Sequence, residues 1–376
     1  MRIFVVTQKT PNELALPASS LWEANLQWPL QDLGHQLIKF DHPWLSSGYD
    51  FDPTDSEQLP IINASRPEFC ESLLDAIKRE HQRQPIDLFF SYFTGAHVDS
   101  ATISAIKSLG IPTINWFCNA SYQFHLVKEI AAAFDYCLVP EKFRLDDYRQ
   151  VGATPIYSQE AANPTVYKWD KKPPKYDVTF VGQRYGSRPE FVNQLHGHGV
   201  DVRVWGPYWQ QEASKTPTLS NWKKIKNWVR RKPVPHQLPL AQCGPALSDD
   251  ALIRLYGESK ISLGFSTVAE IPTDGSIPIK QVRLRDFEAT MSGAFYMVEA
   301  FDELAEFFEP DKEIVFFNDK EELVDKVKFY LKHSTERERI RAAGYKRAQR
   351  DHTWQNRFSH LFEKIGLTSE ATKCAG

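Results

Sequence analysis

Lys280-Gln281-Val282-Arg283-Leu284-Arg285-Asp286-Phe287-Glu288-Ala289-Thr290-Met291-Ser292-Gly293-Ala294-Phe295-Tyr296-Met297-Val298 reads as a polar loop, a short helix, a glycine stop and a buried strand. Arg285 and Glu288 are three apart and share a helix face. Gly293 suits the position just past a helix end, where a left-handed backbone is needed. Ala294 to Val298 is an apolar run of strand length. Lys280, Arg283 and Arg285 crowd a helix start whose dipole is already positive. An anionic ligand accounts for that charge. The alternative is a solvated basic face paired with Asp286 and Glu288.

The same alternation runs outward in both directions. Towards the amino terminus, Arg2 to Val6, Leu37 to Phe40, Ile86 to Phe90, Ile111 to Trp116 and Phe134 to Val139 read as strands. The helix after Ser20 repeats Trp22, Leu26, Leu30 and Leu33, with a kink or restart at Pro29. Further helices are expected over 67–82, 99–109, 122–132 and 141–150. Residues 159–176 break the rhythm with Asn163-Pro164 and Lys171-Lys172-Pro173-Pro174. A second unit starts at Tyr176 to Gly182 and continues through a helix near 188–197, a strand Asp201 to Trp205, a helix near 249–258 and a strand Ile261 to Phe265. After the opening stretch come a strand near 313–317 and helices over 319–332, 335–349 and 354–364. Short connections between alternating elements imply parallel, doubly wound sheets. The expected organisation is a domain over 1–160, a linker over 161–176, a second domain over 177–350 and a carboxyl-terminal helix within 351–376. A cleft between the carboxyl ends of two such sheets is where ligands bind.

Composition narrows the function. With 42% hydrophobic and 25% charged residues the chain is an ordinary globular protein. A formal net charge of -3 gives no field for nucleic acid. Five dispersed cysteines without a CxxC pair suit a reducing cytoplasm and no zinc site. No signal peptide or membrane-spanning run is visible.

Four features carry candidate chemistry. Gly182-Gln183-Arg184-Tyr185-Gly186-Ser187-Arg188 follows a strand and precedes a helix. It reads either as a phosphate cradle or as a tight turn with two surface arginines, and it matches neither the P-loop nor GxGxxG. Glu288 either holds a ribose diol or pairs with Arg285. Asn115 to Asn119 ends a first-domain strand, and Cys118 within it reads either as a nucleophile or, since no partner is implied, as a packed thiol. His42, His97 and His125 follow first-domain strands, where one of them would serve as a general base if it is not an ordinary loop histidine. Separately, Trp222 to Lys232 places six basic residues around Trp222, Ile225, Trp228 and Val229. This is either a membrane-surface helix or an amphipathic face packed on its own domain.

Arg285-Asp286-Phe287-Glu288, Met291-Ser292-Gly293 and Asp351-His352-Thr353-Trp354 with Arg357-Phe358 resemble the CgeB-like glycosyltransferases. Ser20 to Glu23, Asn115 to Cys118, Gly152-Ala153 and Val181 to Gly186 are similar to that group as well. The resemblance covers roughly residues 1–365. It implies a GT-B fold, two Rossmann-like doubly wound domains facing across a cleft, with a nucleotide-sugar donor on the second domain. It places Glu288 on the ribose and Arg184 on the diphosphate. Gly182, Tyr185, Arg188, Lys280, Arg283 and Arg285 complete the expected donor site. Asn119, His97 and Lys280 are the candidate catalytic positions. Two of them depart from the family pattern: Lys280 stands where related retaining enzymes often carry Glu, and Asn119 stands where relatives tend to have Asp. Asn takes no proton at neutral pH.

The expectation is a cytoplasmic glycosyltransferase moving a sugar from a nucleotide-diphosphate sugar to an acceptor hydroxyl on a glycan, lipid or small molecule. It needs no cofactor and no catalytic metal, and residues 221–232 offer a peripheral membrane contact. The rival readings are a catalytically silent nucleotide-sugar or carbohydrate-binding protein and a sugar-nucleotide epimerase of the same fold.

Overall fold

A computed structural model describes residues 1–7, 20–47, 51–210, 238–268 and 278–367. The basic segment 221–232 lies outside these residues. Two six-stranded sheets organise the chain. The first contains β1 (Arg2–Val6), β2 (Gln36–Lys39), β3 (Leu88–Ser91), β4 (Thr113–Trp116), β5 (Tyr136–Val139) and β6 (Pro155–Tyr157) in the order β2-β1-β3-β4-β5-β6. The second contains β7 (Tyr176–Val181), β8 (Val202–Trp205), β9 (Cys243–Gly244), β10 (Ser259–Gly264), β11 (Tyr296–Glu299) and β12 (Val315–Phe317) in the order β12-β11-β10-β7-β8-β9. Every pairing within them is parallel. Strands buried on both faces explain the apolar runs: all of β1, β3, β4 and β11 is buried.

In each sheet the strand order reverses once, between β1 and β3 and between β7 and β10. The loops leaving these strand pairs diverge, which opens a crevice at the carboxyl edge. In the second sheet the described segments flanking that crevice are 182–188, 265–268 and 278–288, which include the two basic stretches of the sequence.

The sequence expectations fail locally for identifiable reasons. Strands β6 and β9 are too short to show periodicity. The helix foreseen over 122–132 is broken into Ala120–Gln123, Phe124–Leu126 and Lys128–Ala131. The Leu126 carbonyl accepts from Gly95 N–H at 2.7 Å and so leaves the helical ladder. The helix expected from 67 begins at Leu59 and carries Pro67 inside it; Pro60, in its first turn, needs no helical N–H. At Pro29 the chain restarts, with a π-helical turn Glu23–Gln27 before a helix Trp28–Asp32.

The chain passes between the two sheets twice, and the passages run side by side. Ala162 N–H donates to His352 O at 3.1 Å and Trp354 N–H to Ala162 O at 3.3 Å. Beyond them, helix Trp354–Lys364 buries Trp354, Phe358, Leu361 and Phe362 in the core of the first sheet. Among the described residues no helix is long and apolar enough to cross a membrane.

Candidate active site

Strand β7 ends at Val181, and the loop after it turns back over the sheet into helix Arg188–Gly197. Gly182 is required there: a Cβ would meet the Phe180 ring at 2.7 Å and the Arg188 guanidinium at 3.3 Å. Across the crevice, Arg283 precedes helix Leu284–Met291, whose first turn is closed by Asp286 accepting from Arg283 N–H at 2.8 Å. Each arginine therefore heads a helix N-terminus, where the dipole favours anions.

The two guanidiniums meet on one phenol. Arg188 donates to the Tyr185 hydroxyl at 2.7 Å and Arg283 donates to the same oxygen at 2.9 Å. Arg283 also donates to Thr267 O at 2.6 Å, which ties the loop after β7 to the loop after β10. Arg188 lies over the Tyr185 ring, 3.9 Å from its centroid. Neither guanidinium has a carboxylate within 4.0 Å among the described residues, and both leave a buried Nε unbonded. Burial, then the charge of Arg283, pushes Arg188 down to about 10. Two like charges held together without a counter-ion destabilise each other, and an anion between them relieves both.

The other expected donor residues are placed differently. Burial lowers the Arg184 guanidinium, and Cys243, in β9, raises it. Lys280 pairs with Glu299 at 3.3 Å and donates to Ala300 O at 2.8 Å, so its cation is engaged at the end of β11. Glu288 is 1% exposed. One of its oxygens is 3.0 Å from Arg285, and the other accepts from the Tyr167 hydroxyl. A ribose diol would have to share a carboxylate that these two groups already hold. The ion pair with Arg285 is thus realised, and burial raises the Glu288 carboxyl.

On the first-domain side, Asn119 is half-buried at the carboxyl end of β4, two residues before Ser121, whose hydroxyl donates to Gln281 across the cleft. His97 does not join this site. Its ring is fully buried, stacked on Phe93 at 5.8 Å, and bonded through Nδ1 to Thr94 at 3.0 Å. Burial drops it to about 3, the value of a neutral core histidine. Cys118 is buried beside the Tyr92 hydroxyl at 3.3 Å, and desolvation pushes its thiol well up. His125 faces Asp52 at 3.3 Å.

Residues not foreseen from the sequence line the boundary between the sheets. Tyr167 bonds Glu288, and Asn25 donates to Tyr167 at 3.2 Å, so the first domain reaches the helix Leu284–Met291 through one phenol. Glu141 after β5 and Glu160 after β6 are 3% and 4% exposed, and each leaves one oxygen without a partner. Their sequence contexts, Pro140-Glu141 and Gln159-Glu160, look like exposed loop acids. Among the described residues no cluster of three or more His, Cys, Asp or Glu could hold a metal ion.

Residues 184–363 match the sequence profile of a glycosyl transferase-like family. No curated protein matches the chain. Several solved structures are similar over nearly its whole length. A sucrose-phosphate synthase from Thermosynechococcus elongatus superposes with a TM-score of 0.59 at 10% identity, covering 98% of this chain and 100% of that one. Anabaena HepE in complex with UDP-glucose gives 0.59 at 11% identity, with the same coverage. A glycosyltransferase from Rickettsia africae gives 0.57 at 12% identity, covering 98% and 99%. The architecture is therefore that of the GT-B glycosyltransferase structures, two parallel sheets facing across a cleft.

Proposed function

We propose that the chain is a glycosyltransferase that moves a sugar from a nucleotide-diphosphate sugar to an acceptor hydroxyl between the two sheets. The observation that carries this reading is the pair Arg188 and Arg283, one buried and one half-buried guanidinium without carboxylate partners among the described residues, meeting on Tyr185 where the strand order reverses. The Tyr185 oxygen accepts twice, and its own hydrogen has no acceptor among the described residues, so it adds a donor to the same spot. Loss of a nucleoside diphosphate from the sugar develops negative charge on the leaving oxygen. Fixed guanidiniums and two helix N-termini stabilise that charge without reorganising. Glu288 would share its carboxylate with the ribose, as the family resemblance implies, and Asn119 and Ser121 would face the acceptor.

The structure of HepE holds UDP-glucose, which makes uridine the first base to test here. Thermal shift with UDP, GDP, ADP, CDP and the corresponding nucleosides is the experiment. A nucleoside diphosphate at 100 times its Kd should stabilise the chain by about 2.7 kcal/mol, and the parent nucleosides far less. Equal, negligible shifts with every diphosphate would sink the reading.

A further inference from the structure

We propose that Glu160, backed by Glu141, accepts the proton of the acceptor hydroxyl, an inference that rests on the glycosyl-transfer reading above. None of the three catalytic positions expected from the sequence supplies a base. Asn119 takes no proton, His97 is sealed in the first core, and Lys280 is bound to Glu299. Glu141 and Glu160 follow the neighbouring strands β5 and β6, so the parallel pairing of those strands sets both carboxyls at the carboxyl edge that faces the second domain. They are more than nine-tenths buried, and Oε2 of each has no hydrogen-bond partner. Neither forms an ion pair among the described residues.

The surroundings give the pair its direction. Glu160 is faced by Glu141 from its own domain and by Glu288, Asp286 and Arg283 across the boundary. The Arg357 guanidinium, from the carboxyl-terminal helix, touches only its main-chain oxygen, at 3.5 Å. Glu141 accepts from Ser121 N–H at 3.1 Å and is faced by Arg144 and by Glu303 of the second domain. Ser121 in turn donates to Gln281, two residues from Arg283. The carboxyl pair and the unpaired guanidiniums thus lie on opposite sides of one boundary, as a proton acceptor and a leaving-group site must. Burial raises both groups, Glu141 to about 8, so the ionised form of the pair gains population as pH rises.

The step balances. The acceptor O–H bond breaks and its proton passes to Glu160. The oxygen's electron pair forms the new bond to the sugar C1. The C1–O bond to the diphosphate breaks, and its electrons leave with the diphosphate oxygen beside Arg188 and Arg283. Substrate enters when the sheets separate, and closure around it excludes bulk water.

The test uses the full chain, with calorimetry of UDP and release of nucleoside diphosphate from UDP-, GDP-, ADP- and CDP-glucose, water serving as acceptor. Glu160→Gln should keep UDP affinity within about 2-fold and lose turnover by about 100-fold or more, the usual range for a general base. Wild-type kcat/KM should rise with pH, and the variant should lose that limb. Glu160→Asp should recover part of the rate, and Glu141→Gln should move the limb to lower pH by removing the like-charged neighbour. A Glu160→Gln variant that binds UDP and turns over as wild type overturns the proposal alone, since the leaving phosphate then takes the proton. Parallel loss of UDP binding and melting temperature in both Glu160 variants overturns it in favour of a structural role. Wild-type chain that binds no nucleoside diphosphate overturns the donor reading, and this proposal with it.

Discussion

Arg188 and Arg283 donate to one oxygen, the Tyr185 hydroxyl, at 2.7 and 2.9 Å. They lie 95 positions apart in the chain and head two different helices. No property of either segment alone asks for two like charges on one acceptor. Burial first, and the charge of Arg283 second, lower Arg188, and an anionic ligand would offset both.

Arg283→Ala should therefore weaken UDP binding by roughly 10- to 100-fold, since charge-assisted hydrogen bonds contribute about 1.5–3 kcal/mol. Arg188→Ala should do the same. Arg184→Ala, outside the pair that meets on Tyr185, should change affinity by less than about 3-fold, below 1 kcal/mol. Calorimetry with UDP ranks the three. If Arg184→Ala proves the most damaging, the diphosphate sits on the other flank of the loop.

Glu288 is as much a part of the fold as of the donor site. Glu288→Ala leaves Arg285 and the Tyr167 hydroxyl without their shared partner inside the protein. Breaking a buried pair from one side costs about 3–5 kcal/mol. Urea denaturation of Glu288→Ala should show that loss, and Tyr167→Phe a smaller one of about 1–2 kcal/mol for a single buried acceptor. A Glu288→Ala variant of wild-type stability would place the carboxylate in solvent and contradict the structure.

Much of this architecture is legible in the sequence. The helix and strand alternation gives both doubly wound sheets. Gly293 marks the helix stop, and Gly182 and Gly186 mark the loop after β7. The site is legible only where its residues are neighbours in sequence. Arg188 and Arg283 converge because β7 and β10 are adjacent across the reversal of strand order, and no local pattern encodes that adjacency. Arg184 and Arg188 are both four residues or fewer from Gly186, and periodicity cannot say which one turns towards β10. Glu141 and Glu160 carry no sequence signal because no local pattern around them encodes burial. His97 misleads for the opposite reason: its position after β3 resembles a site position, while the rings of Phe69 and Phe93 make it core.

Stability should peak on the acid side of neutral pH, with different groups shaping each limb. His97 and His352 are buried neutral and pushed down to about 3 and about 4. The unfolded chain binds their protons first, so stability falls as pH drops through about 6.5 towards those values. Asp286 and Glu141 are pushed up to about 6 and about 8 by burial. For a carboxyl raised in the folded state, the native chain holds the proton longer, so stability is lost as pH rises from about 4 through those values. Melting temperatures across pH 4 to 9 should show Glu141→Gln flattening the alkaline limb and leaving the acid limb unchanged. If the variant instead destabilises the chain equally at every pH, Glu141 is ionised throughout and its burial is compensated.

Gly293→Ala tests the stretch from which the fold was read. Gly293 follows helix Leu284–Met291 with φ at +78°, which a side chain opposes by about 1–2 kcal/mol. Sterics add a second term. A Cβ there would lie 2.1 Å from the Trp169 indole, which belongs to the chain passage between the two sheets. Trp169 cannot simply swing aside, because Tyr345 packs edge-on to it at 5.7 Å and the Arg341 guanidinium lies 5.8 Å from its ring. Arg341 is itself held by the carbonyls of Gly257, Gly293 and Ser259. Overpacking of this kind costs about 1–3 kcal/mol. The two terms separate in a double-mutant cycle with Trp169→Ala. With the indole removed, Gly293→Ala should cost only the backbone term, and the cycle should return a coupling of about 1–3 kcal/mol. Additive losses in urea denaturation would mean that Trp169 does not rest on Gly293.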